Sequence, residues 1–313
     1  MRNALGLKAL QWAGPTPWTN VYGAARTLLA LSTALTLALN ETGTLFRPAA
    51  TIPSAPYCEG AAGAGLFCLA PDGSLDLMRW LAVGVLLVVA SGWRPRWTAP
   101  AHWYVTFSFA SSAIVVDGGE HVSQVLTLLI LPLALTDPRK WHWSRPPALD
   151  GVTPSHLVAR SAWLVARVQV AWIYLQASVA KLAVPEWADG TALYYWFTDP
   201  SFGAPGWLQG PLMALLDPPV ALVLATWSVM ALELALAAGL VVEKRHWGPL
   251  LVLGIGLHLG IAVIHGLISF AVIMFAALIL FLRPADKPFD LRLPSVVLGR
   301  VARRVPALAR TAE

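Results

Sequence analysis

Residues 157–184 read LVARSAWLVARVQVAWIYLQASVAKLAV, and the fold turns on how this stretch is understood. It is apolar over most of its length, and a membrane span needs roughly 17–25 such residues. Polar side chains interrupt it at a fixed interval: Arg160, Arg167, Tyr174 and Lys181 recur every seventh residue. Seven residues of α-helix fall about 20° short of two full turns. These four side chains therefore share one stripe, and Ser178 lies on the same side. Ionisable groups at membrane depth face a bundle interior or a cavity, because lipid cannot solvate them. The stretch predicts a membrane-crossing helix that turns one polar face toward other helices.

Composition extends that reading to the whole chain. Of 313 residues, 57% are hydrophobic and 12% are charged, against about 25% charged in soluble domains. This excludes a soluble enzyme, a disordered chain and a nucleic-acid-binding domain. Further apolar runs cover 21–39, 77–91, 103–116, 122–135, 219–242, 249–264 and 267–282. The expectation is an all-α, polytopic transmembrane bundle of about eight helices. Residues 1–285 would form the membrane domain, and 286–313 a basic amphipathic tail lying on anionic lipid. The N-terminus lacks the apolar core and cleavage site of a signal peptide. Lys and Arg concentrate in alternate connections: Arg2 and Lys8, Arg94 and Arg96, Arg139 to Arg145, Lys244 and Arg245, and the tail. The intervening connections hold only Arg47 and Arg79, with no basic residue between 184 and 219. The positive-inside rule then places both termini in the cytoplasm of a multi-pass cell-membrane protein. The net charge of +5 belongs to those lipid-facing loops, and no nucleic-acid partner is expected.

On this topology Lys181 lies about 31 Å along its helix from Arg160, near the outer face. Asp117, Glu120 and His121 occupy an outward turn. His265 occupies another, and His258 lies two turns below it on the same helix face. Two carboxylates, three imidazoles and one amine thus gather in the outer half of the membrane. An amine so placed can act as a general base; the alternative is that these groups merely close tight turns. Glu233 and Arg167 are expected to form a buried structural ion pair, and Arg26 to reach the inner interface as an anchor. Cys58 and Cys68, the only cysteines, share an outward loop, where an oxidising exterior favours a structural disulfide over two free thiols. No metal site is expected. Phosphate-loop, dinucleotide, zinc-protease and nucleophile-elbow motifs are missing from the sequence.

The segments DGGEHVSQ (117–124), DPRKWHW (137–143) and ASVAKL (177–182) followed by Glu186 and Trp187 resemble the membrane domain shared by HTTM proteins and the vitamin K-dependent γ-carboxylase. With EWADGTALYYW (186–196), the likeness is closest to the SdpB branch, and it runs over about 21–282. The resemblance implies maturation of an exported antimicrobial peptide precursor together with an SdpA-like partner. It implies a catalytic base at Lys181, a functional histidine at His121, and His258, twelve residues before Phe270, lining the pocket with Asp117, Glu120, Tyr174, Ser178 and His265. By the carboxylase analogy, a reduced menaquinone would be the co-substrate. The departures are specific. Ala180 stands where the carboxylase has a first lysine, one residue is added before Trp187, and no exported propeptide-binding domain follows the last helix. Carboxylation itself is therefore not implied. A non-enzymatic scaffold or export subunit, and a transporter or immunity protein, are the other readings of the same stripe.

Overall fold

The computed structural model describes residues 14–49, 54–71, 73–114, 118–148 and 151–290. Among these residues the chain is helical, with no strand and one isolated bridge between Trp93 and Trp141. The helices are α1 (Asn20–Leu39), α2 (Thr42–Leu45), α3 (Leu75–Ser91), α4 (Pro95–Ser112), α5 (Gly119–Leu129), α6 (Leu131–Leu135), α7 (Pro154–Lys181), α8 (Pro185–Ala188), α9 (Ala192–Thr198), α10 (Gly206–Leu216), α11 (Pro219–Ala238), α12 (Trp247–His265) and α13 (Ile268–Leu282). The all-α class expected from the sequence holds. Asp117 and the tail from 291 lie outside the described residues.

Helix α13 is apolar on every side, and such a helix belongs in a core. It packs on α1, α12, α5 and α7, and Ile273, Ala276, Ala277 and Phe281 are fully buried. Helix α7 starts where the Thr153 hydroxyl accepts the His156 N–H, with Pro154 in the first turn, two features that favour a helix N-terminus. Its 28 residues extend about 42 Å. It packs on α11 along one side and on α6 and α13 along others.

Among the described residues three helices are long and apolar enough to cross a membrane: Asn20–Leu39, Pro219–Ala238 and Lys244–His265. Only 22% and 17% of the apolar windows of the last two are buried, against 61% in the first. Val220, Leu224, Val252, Leu253 and Leu259 are consequently exposed. A soluble protein does not leave so much contiguous apolar surface in water.

The structure moves several expected boundaries. The run at 122–135 divides into α5 and α6, because Pro132 has no N–H to continue the ladder. The connection 185–218, expected as a loop, is built from α8, α9 and α10. Cys58 and Cys68 are joined in a disulfide across a separation of 10 residues.

Two charges expected at the inner interface are instead inside the protein. Arg26 is 1% exposed and donates to Thr98 Oγ1 at 2.7 Å, so it ties α1 to α4 and does not extend to the membrane surface. Arg139 clamps Asp137 through Nη2 at 2.7 Å and Nε at 2.9 Å, and Arg139 Nη1 also donates to the carbonyls of His142 and Ser144. His142 is fully buried. Burial, then the charges of Arg26 and Arg139, pulls its imidazole pKa down to about 2. Gly92, which ends α3 at φ 86°, meets this ring so closely that a Cβ would collide with it. The Gly92 carbonyl accepts the His142 N–H at 3.0 Å.

Candidate functional site

Helices α5, α7, α8, α9, α11, α12 and α13, with Phe202, line a half-open cavity of about 840 Å³. Its wall is almost wholly apolar, with Ile173, Trp187, Phe197, Ile261, Phe270 and Met274 among the lining residues. Against that wall stand Lys181, Glu233, Tyr174, His258 and His265. The seven-residue stripe explains the first part of this grouping. Tyr174 and Lys181 sit on one face of α7, while His258 and His265, also seven apart, sit on one face of α12.

The polar groups are paired. Lys181 Nζ lies 2.7 Å and 2.9 Å from the two carboxylate oxygens of Glu233, and 3.3 Å from the Ala177 carbonyl. The side chains of the pair are 21% and 10% exposed, so a shielded ion pair forms the floor of an apolar chamber. The ammonium also lies 5.2 Å from the Trp187 ring centroid. Tyr174 Oη lies 2.8 Å from His258 Nε2, and Phe270 presents its edge to the same imidazole at 5.4 Å between ring centroids. If Tyr174 donates that bond, the ring proton of His258 resides on Nδ1, which is buried and has no hydrogen-bond partner. The chamber is therefore bordered by the Lys181 ammonium and by the Tyr174–His258 pair, while His258 Nδ1 is sealed within the protein.

The expected site residues divide accordingly. Lys181, Tyr174, His258 and His265 come together around the cavity. Ser178 is close by but buried, its hydroxyl spent on the Met230 carbonyl at 3.1 Å. His265 Nδ1 lies 2.6 Å from the Phe202 carbonyl, which fixes it at the rim. Glu120 is directed elsewhere: Thr33 and Thr36 of α1 donate to its carboxylate at 2.8 Å and 3.2 Å. His121 is exposed and is not among the lining residues, because it falls about 100° round α5 from Val122, which does line the cavity.

The expected Arg167–Glu233 pair is not formed. Glu233 serves Lys181, while Arg167 Nε donates to the Phe281 carbonyl at 2.9 Å and its guanidinium lies 4.2 Å from the Trp247 ring centroid. Arg167 lies 14 residues before Lys181, about four helical turns short of the depth at which α11 presents Glu233. Sequence reasoning missed Glu233 as the partner of Lys181 because the contact spans 52 positions. The aromatic wall at Trp196, Phe197 and Phe202 was missed for a different reason, since no periodicity marks a broken segment. Among the described residues no group of three His, Cys, Asp or Glu is placed to hold a metal.

Fold and cavity together define a helical-bundle protein of the membrane type, with a polar site inside an apolar chamber. No family model matches the chain, and no solved structure matches it. Two proteins of Bacillus subtilis (strain 168) are similar to it along most of its length. The uncharacterized protein YitO is 42% identical over 278 residues, which cover 88% of this chain and 89% of that one. Sporulation-delaying protein SdpB is 38% identical over 273 residues, covering 87% and 83%. The chain belongs to the SdpB family.

Proposed function

We propose that this SdpB-family chain is a multi-pass membrane protein that matures an exported peptide toxin, with Lys181 as the base. In this reading the bundle has about eight spans, both termini face the cytoplasm, and the Lys181 cavity opens near the outer face. An SdpA-like protein would work beside it. One observation carries the proposal: a Lys–Glu pair and a Tyr–His pair converge on one half-open apolar cavity of about 840 Å³. A cavity of such size is what a ligand site needs, and a purely structural stripe would be expected to pack shut.

Chemically, Glu233 holds Lys181 and is the group to which the ammonium can return a proton. Low-polarity walls strengthen both pairs by excluding water. Tyr174 orients the His258 ring at the cavity wall. The ring of a reduced menaquinone, the co-substrate implied by the carboxylase resemblance, suits this apolar and aromatic lining, with Lys181 and His258 as the polar groups to meet its oxygens. Such a quinol, when bound, supplies an acidic hydroxyl proton.

The scaffold reading also has a specific observation behind it: Lys181 already has three acceptors within 3.3 Å. Lys181→Ala and Lys181→Arg in the native host separate the two. Mass spectrometry of the secreted peptides should show the mature species lost from both variants at unchanged protein abundance. Mature peptide of normal mass and yield from either inserted variant would exclude Lys181 as a base. Reduced abundance of Lys181→Ala, with normal maturation per molecule, would leave only the scaffold role.

A further inference from the structure

The segment 185–218 carries Glu186, Asp189, Asp199 and Asp217 and not one Lys or Arg. Three of its aromatic side chains are conspicuous. Tyr195 and Trp196 are 56% and 46% exposed, whereas Trp187 is 8% exposed. They surround a second pocket of about 300 Å³, completed by Val184, Glu186 and Ala192. Trp187 and Trp196 line both this pocket and the Lys181 cavity, so the two spaces share a wall.

The chemistry of the pocket is that of a cation receptor. Aromatic faces attract ammonium and guanidinium groups through the ring quadrupole, and Trp187 already receives one ammonium, that of Lys181. The other acids nearby are occupied. Asp189 accepts from Thr191, and Asp199 accepts from the Ser201 and Phe202 N–H groups. The exposed carboxylate of Glu186 has no hydrogen bond or ion pair among the described residues, and it stands in the pocket wall.

We propose that this pocket is a cation-binding subsite, which takes a lysine or arginine side chain of the exported peptide against Trp187, Tyr195 and Trp196 with Glu186 as counter-charge. It rests on the reading of the adjoining cavity as a peptide-maturation site and gives that substrate a property: a basic residue next to the segment acted upon. Charge complementarity selects the occupant, because the whole 185–218 segment is acidic and aromatic.

The test uses the full chain in phosphatidylglycerol nanodiscs and a peptide carrying fluorescein on its N-terminus, fluorescein-Leu-Ala-Lys-Ala-Leu-amide, with its ε-acetyl-lysine counterpart as control. Fluorescence anisotropy should show the lysine peptide binding at least about tenfold more tightly than the control, and Glu186→Gln or Trp196→Leu weakening it about fivefold or more. Glu186→Asp, which keeps the charge, should retain more binding than Glu186→Gln. Equal affinity for both peptides, or no effect of Glu186→Gln, overturns the subsite. So does displacement of the peptide by phosphatidylethanolamine in the nanodisc, since the headgroup ammonium would then be the occupant. Lys181→Ala separates this proposal from the one beneath it. Binding intact with maturation still normal in Lys181→Ala defeats Lys181 as the base and keeps the subsite; maturation lost in Lys181→Ala with no lysine selectivity does the reverse.

Discussion

Two of the buried polar regions in the described residues are built on opposite principles. Around Asp137, Arg139, His142 and Arg26 most polar atoms are bonded to neighbouring side chains or backbone carbonyls, His142 Nδ1 and Arg26 Nε being buried without a partner among the described residues, and Gly92 brings the chain hard against His142. Around Lys181, Glu233, Tyr174 and His258 an equally close set of pairs borders an 840 Å³ cavity. Both regions contain a buried ion pair at 2.7 Å. Polarity and burial therefore do not by themselves mark a site; the empty volume beside the second pair does. The closed region fixes how α1, α3, α4 and the 136–148 connection meet. The open region leaves a space that folding alone gives no reason to keep.

If that contrast is right, damage to the closed region should be structural and large. Asp137→Asn removes the counter-charge from Arg139, whose side chain is 4% exposed. Breaking a buried pair on one side costs about 3–5 kcal/mol. The expected result is a steep fall in thermal stability in detergent, read by scanning fluorimetry, with function per folded molecule unchanged. A stable Asp137→Asn protein that has lost maturation would place function in the wrong region and break the comparison. The ionisation of His142 adds a check of sign. Its folded pKa lies below the ordinary value, so its burial as a neutral ring opposes folding in acid, and stability is lost as pH falls below the unfolded imidazole range. Above that range this loss vanishes.

Damage to the open region should do the opposite. Gly260 lines the cavity, and a Cβ built there has no neighbour within 4 Å. Gly260→Leu therefore adds bulk at the cavity wall where its Cβ has room, and helix propensity gains up to about 0.8 kcal/mol from replacing glycine. Maturation should fall at least about tenfold, the factor that corresponds to losing 1.4 kcal/mol of ligand binding, while the melting temperature stays level or rises. Full activity in Gly260→Leu would mean that the cavity is not used.

How far the sequence revealed these regions follows from what kind of signal each one leaves. The seven-residue spacing on α7 and on α12 made Tyr174, Lys181, His258 and His265 legible, because a single helix converts spacing into a face. The class of fold was legible from the apolar runs. Glu233 was recognised as a buried partner but assigned to Arg167: both are on facing helices, and only the axial offset of α7 and α11 decides which cation it meets. His121 and Glu120 were drawn into the cluster by their place in a turn, yet a turn fixes depth and not direction, and Glu120 binds α1 instead. Arg26 and Arg139 read as interfacial charges because nothing in their local sequence shows Thr98 or the His142 carbonyl waiting for them. The α8–α10 segment left almost no trace, since its short helices carry no period and its walls are made only in three dimensions.

The finest test of the contrast is Tyr174→Phe. It deletes one hydroxyl that bonds His258 at 2.8 Å and leaves the ring packed among α7 and α12. A net hydrogen bond is worth about 0.5–1.5 kcal/mol, so the thermal shift should be small. In a closed region that would be the entire consequence. In the open one, His258 loses the group that sets its ring proton and angle, so maturation should decline several-fold more than stability accounts for. The imidazole resonances of His258, followed by NMR in detergent, should show a changed tautomer or a broadened ring. If Tyr174→Phe alters stability and activity in proportion and leaves those resonances in place, His258 is a packing residue, and the cavity's polar chemistry contracts to the Lys181–Glu233 pair.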